Sequence, residues 1–293
     1  MEKNNIVILE DRGLISIKGP DSKDFLQNVL TNDVEKSEKF STIHSAILTP
    51  QGKYLYEFFL IKTEDGYLLD CADELTKEII LHLSKYKLRS NIEIINLSSA
   101  YAVGIIDLEK FKEIQTTEKT SNSTIIYRDS IIFIDSRTSK LGARIISNLE
   151  KLYLTIKKLN LKIVENSNYL NKAHLNGVPI KGTKNLKNQL FGLEANFEKL
   201  NTVDFQKGCY VGQENTARMK LKNKLRRRLF PIKSNEELKV GDQLIFENKS
   251  IGKVMIKGSY PFALIKLFDP EFIEFKDKEI FINGKKIIIV DIL

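Results

Sequence analysis

The feature that most constrains the fold is a change of pattern near Leu229. Downstream of it every periodic segment reads as strand: Asp242 to Phe246, Ile251 to Ile256, Ala263 to Leu267, Glu279 to Ile282 and Lys285 to Val290. These are short runs rich in β-branched and aromatic residues, separated by turn residues. Asn283-Gly284 sits between the last two, and that dipeptide suits a two-residue hairpin because both central positions need positive φ. A set of short strands like this buries its inner face and removes its edges by closing into a small antiparallel barrel.

Upstream the patterns are mixed, which predicts an α+β chain. Ile6 to Leu9 and Leu14 to Ile17 read as a strand pair. Gly19-Pro20 then stops the strand, and Asp21 or Ser22 caps a helix that presents Phe25, Leu26, Val29 and Leu30 on one face. Ile43 to Leu48 and Tyr54 to Ile61 flank the turn-forming Thr49-Pro50-Gln51-Gly52-Lys53 as a hairpin, and Tyr67 to Leu69 adds a strand. From Asp73, Leu75, Ile79, Leu83 and Tyr86 recur at helical spacing, with acids first and lysines last. Ile92 to Ile95, Ala100 to Ile106, Ile125 to Tyr127 and Ile131 to Ile134 are strand-length runs, with a polar loop expected over Gln115 to Ser123. Ser147-Asn148-Leu149-Glu150 has the form of a capping box before Leu152, Ile156 and Leu159, and a shorter helix should end at Gly177-Val178-Pro179. The basic stretch Arg218 to Arg228 is the best boundary, giving regions 1–225 and 226–293.

Composition excludes several classes. In 293 residues no apolar run approaches the ~18 that a helical membrane span needs, so we expect no membrane association. The N-terminal Ile6 to Leu9 is broken at once by Glu10-Asp11-Arg12, unlike a secretory signal. Two cysteines, Cys71 and Cys209, with three scattered histidines, give neither a disulfide scaffold nor a metal centre, and point to a cytoplasmic protein. The net charge is +8, of which +7 falls after residue 206, yet the chain is Lys-rich throughout and the global charge is weak support for nucleic acid.

Lys207-Gly208-Cys209-Tyr210-Val211-Gly212-Gln213-Glu214 is the segment least explained by packing. Two glycines four apart permit backbone geometry that other residues resist, and a thiol between them follows a cation by two positions. A lone cysteine is otherwise a small buried hydrophobe, but this context favours an exposed, functional thiol, with Lys207 favouring the thiolate.

The motif Lys-Gly-Cys-Tyr-x-Gly-Gln-Glu resembles the signature of the YgfZ-type folate-binding proteins, relatives of the glycine-cleavage T-protein, an aminomethyltransferase. Asp21 to Val34 (Asp-x-x-x-Phe-Leu-Gln, then Thr-Asn-Asp-Val), Leu48 to Lys53, Tyr86 to Ser90 and Glu194-Ala195-Asn196 extend the resemblance over nearly the whole chain. It implies a T-protein-like ring of two interleaved α/β subdomains plus a C-terminal antiparallel β-barrel, around a tetrahydrofolate-type pocket. It also implies a role in assembly or repair of iron–sulfur clusters in client enzymes, including radical enzymes that modify tRNA. Cys209 and Lys207 are then the catalytic candidates, in a motif completed by Gly208, Tyr210, Gly212, Gln213 and Glu214.

For the folate we expect Tyr169 as a stacking platform, Glu194 and Asn196 as polar partners, and Lys53 for a glutamate tail. Folate-dependent aminomethyl transfer is the alternative activity. The Asp that the T-protein carries after its hairpin is missing here, where Tyr56-Glu57 stands, and a lone Glu on an apolar strand reads as an exposed edge residue. A helix segment that in the wider family offers Arg and Glu reads here Ala173-His174-Leu175-Asn176, so His174 is expected to be structural. Arg218, Arg226, Arg227 and Arg228 are the partner-binding candidates, for tRNA or an acidic surface. Seven cations in residues 218 to 228, alternating from 218 to 224, would line one face of a strand.

Overall fold

The computed structural model describes residues 2–38, 42–118, 120, 122–222, 225–282 and 284–292. It divides into two compact units, the first made of Met1–Ile47, Tyr56–Tyr169 and Leu200–Val211, the second of Leu48–Leu55, Leu170–Lys199 and Gly212–Leu293.

The first unit holds most of two mixed-order sheets. One has six strands in the order Lys162–Val164, Asn5–Leu9, Tyr101–Ile106, Ala143–Asn148, Ser130–Ile134, Thr124–Tyr127. The other has five, in the order Ile43–Leu48, Tyr54–Thr63, Gly66–Ala72, Arg12–Lys18, Glu93–Asn96, and its hairpin tip passes into the second unit. The first two strands of the chain are therefore not partners of one another. Asn5–Leu9 pairs with Tyr101–Ile106 and Lys162–Val164, whereas Arg12–Lys18 pairs with Gly66–Ala72 and Glu93–Asn96. Both strands are buried along most of their length, so each needs neighbours on two edges that a single hairpin cannot supply. This is what interleaves the two sheets in the sequence.

Two further expectations are corrected. The helix Leu149–Lys158 is capped by Asn148, whose side chain accepts from the Glu150 and Lys151 amides, while Ser147 is a buried strand residue whose hydroxyl accepts from the Ser130 hydroxyl instead. Asn148 leaves the strand in extended geometry and offers its oxygen to the orphan amides first. Gln115 to Thr117 belong to the helix Leu108–Thr117, which is capped by Asp107 and buries Phe111 and Ile114, so the loop begins later than its polar composition implied. Residues 119 and 121 of that stretch lie outside the described residues.

In the second unit the tail closes into a six-stranded antiparallel barrel in the order Arg227–Ser234, Phe262–Lys266, Lys249–Ile256, Gln243–Phe246, Ile280–Ile282, Lys285–Ile289. Period-two burial shows the inner face directly: in the last strand Ile287 and Ile289 are buried while Lys286 and Ile288 are exposed. They join Phe230, Ile232, Leu244, Ile251, Val254, Ile265 and Phe275 in one core. Ile282 and Lys285 are register partners in the last two strands; the turn expected at 283–284 falls on Asn283, which lies outside the described residues. The first barrel strand was hidden in the sequence by Pro231 and by its cationic start. Pro231 is accommodated because only its carbonyl is needed, accepting from the Val290 amide at 2.9 Å.

Candidate functional site

In the first unit the Cys209 loop is built onto the end of a helix. Ser22–Val29 terminates at Leu30, leaving carbonyls without helical partners. The Lys207 ammonium takes them, donating to the carbonyls of Gln27 (2.7 Å), Leu30 (2.6 Å) and Asn32 (3.2 Å). All three of its protons are thereby used, at the negative end of the helix dipole. The same ammonium lies 5.0 Å from the centre of the Tyr210 ring, and the Val211 amide donates to Asn28 O at 3.1 Å. Burial pushes the Lys207 ammonium down to about 8, against the raising influence of Asp33 and Asp204.

Thr31 and Asn32, from the Thr-Asn-Asp-Val stretch, fasten the start of this segment. The Thr31 hydroxyl donates to Thr202 O at 2.6 Å, and the Asn32 amide donates to Asn201 O at 2.7 Å and His44 O at 2.8 Å. On this scaffold Cys209 is exposed, as the sequence led us to expect, and Cys71 is buried, its thiol pushed up to about 11 by desolvation.

The two motif glycines differ. Gly212 caps the helix Gln213–Leu221 with φ +86, and a Cβ there would stand 2.3 Å from Thr49 O. Gly208 has no positive φ, and nothing lies within 4 Å of its notional Cβ. Gln213 and Glu214 form the first turn of that helix, where the acid suits the dipole. The helix also overturns the strand expected for the basic run. Arg218 and Lys220 are exposed on its last turn, Arg226 is exposed in the connection that follows, and Arg227 and Arg228 begin the barrel, so the cations do not share a strand face. Lys224 lies outside the described residues. The helix escaped notice because Thr216 is its one buried residue, leaving no apolar stripe to read.

The second unit contains a cavity of about 790 Å³ lined by Phe191, Glu194, Met219, Arg226, Arg227, Lys266, Phe268 and Asp269. Glu194 is buried and fully engaged, accepting from Arg227 at 2.9 and 3.2 Å and from the Phe191 amide at 2.9 Å. Arg227 and Lys266 are register partners on adjacent barrel strands, so two like charges face one another and Glu194 offsets them. Asn196 adopts φ +65 and donates to Leu229 O at 2.8 Å; it lines a separate cavity of about 80 Å³. Lys53 is half-buried and donates to Asn188 O at 3.1 Å. His174 is buried, bonded through Nε2 to Pro261 O at 2.9 Å and edge-on to Phe262.

Tyr169 is placed differently, buried in the first unit with its hydroxyl accepting from Arg144 at 3.2 Å. It belongs to a charged cluster that the sequence reading missed. Asp70 accepts from Arg12 at 2.6 Å and Arg144 at 2.7 Å, joining the two sheets, and Asp135 pairs with Arg137 at 2.8 Å. The Phe59 ring lies 4.4 Å from the Arg144 guanidinium and 4.8 Å from that of Arg137. Glu57 faces this cluster and is half-buried, not an exposed edge residue; desolvation raises its carboxyl to about 7 despite the cations Arg137 and Arg12. The available signal was an arginine or aspartate inside an otherwise apolar strand, as at Asp70 and Arg144.

Among the described residues no group of three or more His, Cys, Asp and Glu is arranged to hold a metal ion, and no helix is long and apolar enough to cross a membrane. No family model matches the chain. It is 27% identical over 279 residues to the mitochondrial iron–sulfur cluster assembly factor IBA57 homolog of Dictyostelium discoideum, covering 84% of this chain and 67% of that protein. It is also 27% identical over 249 residues to the human mitochondrial IBA57, covering 77% and 65%. Across such relatives the matched span runs from 52% to 67% of their length.

These relatives are named mitochondrial, which overturns the expectation of a cytoplasmic protein. A low cysteine count excludes a disulfide scaffold but does not distinguish one thiol-reducing compartment from another. Among solved structures, the glycine cleavage system aminomethyltransferase T of Bartonella henselae superposes with a TM-score of 0.72 at 15% identity, covering 97% of this chain and 83% of that one. The interleaved sheets and closed barrel are therefore the T-protein-like fold, and the chain's homologues are the IBA57 iron–sulfur cluster assembly factors, a YgfZ-like family.

Proposed function

We propose that this chain supports assembly or repair of iron–sulfur clusters in client enzymes, tRNA-modifying radical enzymes among them. In this reading it holds a tetrahydrofolate-type molecule in the large cavity of the second unit, and Cys209 is the group that acts on the client. The observation that carries the reading is the exposed Cys209 on a loop fastened by Lys207, in a chain whose relatives are named for iron–sulfur cluster assembly.

The cavity suits the folate class. Its volume lies in the usual range for ligands of that size, with Phe191, Phe268 and Met219 to cover a flat ring and Arg226 and Lys266 to meet carboxylates. The folate supplies one-carbon carrying capacity when bound. The residues of the chain bind and orient: Arg227 is held in place by Glu194, and the phenylalanines exclude water.

Two experiments test the proposal. A strain lacking the gene should lose several iron–sulfur enzyme activities, recovered by the wild-type chain but not by Cys209→Ala; recovery by that variant removes the thiol from the function. Calorimetry with reduced folates should give a dissociation constant in the micromolar range or weaker, about −8 kcal/mol at most. No heat with any of them removes the cofactor.

Aminomethyl transfer is favoured by one observation, the Glu57 carboxyl at about 7, where general acid–base catalysis is efficient. Turnover of tetrahydrofolate with an aminomethyl donor that survives Cys209→Ala and disappears in Glu57→Gln would establish that activity in place of the first.

A further inference from the structure

We infer that the pocket between the segment following Leu175 and the hairpin loop at residues 257–261 binds a small aryl carboxylate, a single ring bearing a carboxylate on a short arm. This cavity of about 260 Å³ is lined entirely by residues of the second unit and shares none of them with the large cavity, so it does not depend on a folate. It forms where a barrel hairpin opens. Lys249–Ile256 and Phe262–Lys266 pair as far as Ile256 with Phe262, after a register shift beyond Val254, and residues 257–261 then leave the ladder. Pro261 pins that loop, its carbonyl accepting from the Ile232 amide at 3.0 Å and from His174 Nε2 at 2.9 Å. On the other side Gly182, at φ +75, lets its segment approach the strand, since a Cβ there would stand 2.9 Å from Ile256 Cγ2. Both walls are fixed by the fold before any ligand arrives.

Depth sorts the chemistry of the lining. Leu170, Val178, Ile256 and Phe262 are buried at the floor, whereas Lys257, Gly258 and Ser259 are exposed at the mouth. The floor is also aromatic. The His174 ring lies 5.1 Å from Phe262 at 88° and 5.8 Å from Tyr260 at 59°, edge-on and tilted contacts that a further ring can join. Desolvation lowers the His174 imidazole from its ordinary value despite the bond to Pro261, so the floor is uncharged at neutral pH.

The mouth sets the other end of the ligand. The lining contains no Asp or Glu, and its cations are Lys181 and Lys257. Lys181 is already engaged. Among the described residues Lys257 has no ion-pair or hydrogen-bond partner, and the Gly258 and Ser259 amides donate to no protein group. A cation and two amides at the rim of an uncharged floor favour a molecule with one apolar and one anionic end. A water occupies about 30 Å³ of liquid, so this volume holds roughly ten heavy atoms, the size of one ring with a short carboxylate arm.

Titration of the full chain with phenylpropanoate, phenylpropanol, phenylpropylamine and octanoate, followed by calorimetry and methyl NMR, tests this. Phenylpropanoate should bind saturably, with a dissociation constant of about 1 mM or tighter for a ligand of its size. The alcohol should bind about fivefold more weakly because it lacks the charge, octanoate about threefold more weakly because it lacks the ring, and the amine should not bind. Methyl signals of Val178, Ile180 and Ile256 should move with saturation while that of Ile145 in the first unit stays. Lys257→Glu, at an exposed position, should weaken phenylpropanoate about tenfold and leave the alcohol's affinity and the melting temperature unchanged. No saturable binding of phenylpropanoate, equal binding of acid and alcohol or of phenylpropanoate and octanoate, saturable binding of the amine, shifts confined to other methyl groups, or an unchanged affinity in Lys257→Glu would each overturn the assignment. The ligand series and the methyl shifts decide it without any substitution.

Discussion

Replacing the two glycines of the cysteine motif one at a time by alanine should separate their roles. At position 212 an added Cβ would stand 2.3 Å from Thr49 O and 2.9 Å from Leu48 Cβ. The first is a backbone atom, inside a turn closed by Thr49 N to Lys53 O and Gly52 N to Thr49 O, both at 2.8 Å, so relief requires moving the whole hairpin tip. The left-handed φ of +86 adds about 1–2 kcal/mol for any residue with a Cβ. Overpacking against an ordered neighbour adds about 1–3 kcal/mol. The sum is about 2–5 kcal/mol, which for a chain of this length lowers the melting temperature by about 5–15 °C.

At position 208 the added methyl meets nothing within 4 Å and φ is not positive, so Gly208→Ala should stay within about 0.5 kcal/mol of wild type. Calorimetric and denaturant melts of both variants measure this. Equal destabilisation by the two, or a Gly212→Ala protein as stable as wild type, would refute the argument from packing. Loss of iron–sulfur enzyme support in Gly208→Ala without loss of stability would place the requirement for Gly208 in the encounter with a client.

Three further expectations concern titration and reactivity. Lys207 has its ammonium pushed down to about 8 from 10.5, so the unfolded chain binds more protons between those values and stability should rise with pH from about 8 to 10.5; Lys207→Met should remove that rise, as pH-dependent melts would show. Glu57 has its carboxyl raised from 4.5 to about 7, so its contribution to stability should fall as pH rises through that window, by up to about 2 kcal/mol once partial exposure is discounted, and Glu57→Gln should flatten the fall. Alkylation of the native chain should modify Cys209 alone, with Cys71 reacting only on unfolding, because its thiol is buried and raised to about 11; a faster native reaction at Cys71 would contradict the placement of both thiols.

Much of the molecule was legible because periodicity reports burial. Leu75, Ile79 and Leu83 recur at helical spacing, and the structure buries all three in a helical segment. The cysteine motif was legible for a different reason: its composition has no packing explanation, and the structure leaves Cys209 exposed. The helix Gln213–Leu221 was not legible, since almost none of its surface is apolar and its start is a glycine that equally suits a turn.

What the sequence determined alone is part of the local alphabet: those strands and helices whose apolar residues are periodic, where the chain turns all-β, and which eight residues stand apart. Those depend on interactions within a few residues. Tertiary structure alone decided the rest. It sent Asn5–Leu9 and Arg12–Lys18 into different sheets, because each is buried on both sides and must find two partners far along the chain. It directed Lys207 to carbonyls at a helix end some 180 positions away, where its ammonium fastens the loop. It also gave the Arg227 guanidinium a carboxylate and left Arg228 Nε buried without a hydrogen-bond partner among the described residues, a distinction that two adjacent arginines do not carry in their spelling. Charge pairing in the interior is a property of three-dimensional neighbours, and a one-dimensional pattern records only that a charge is present.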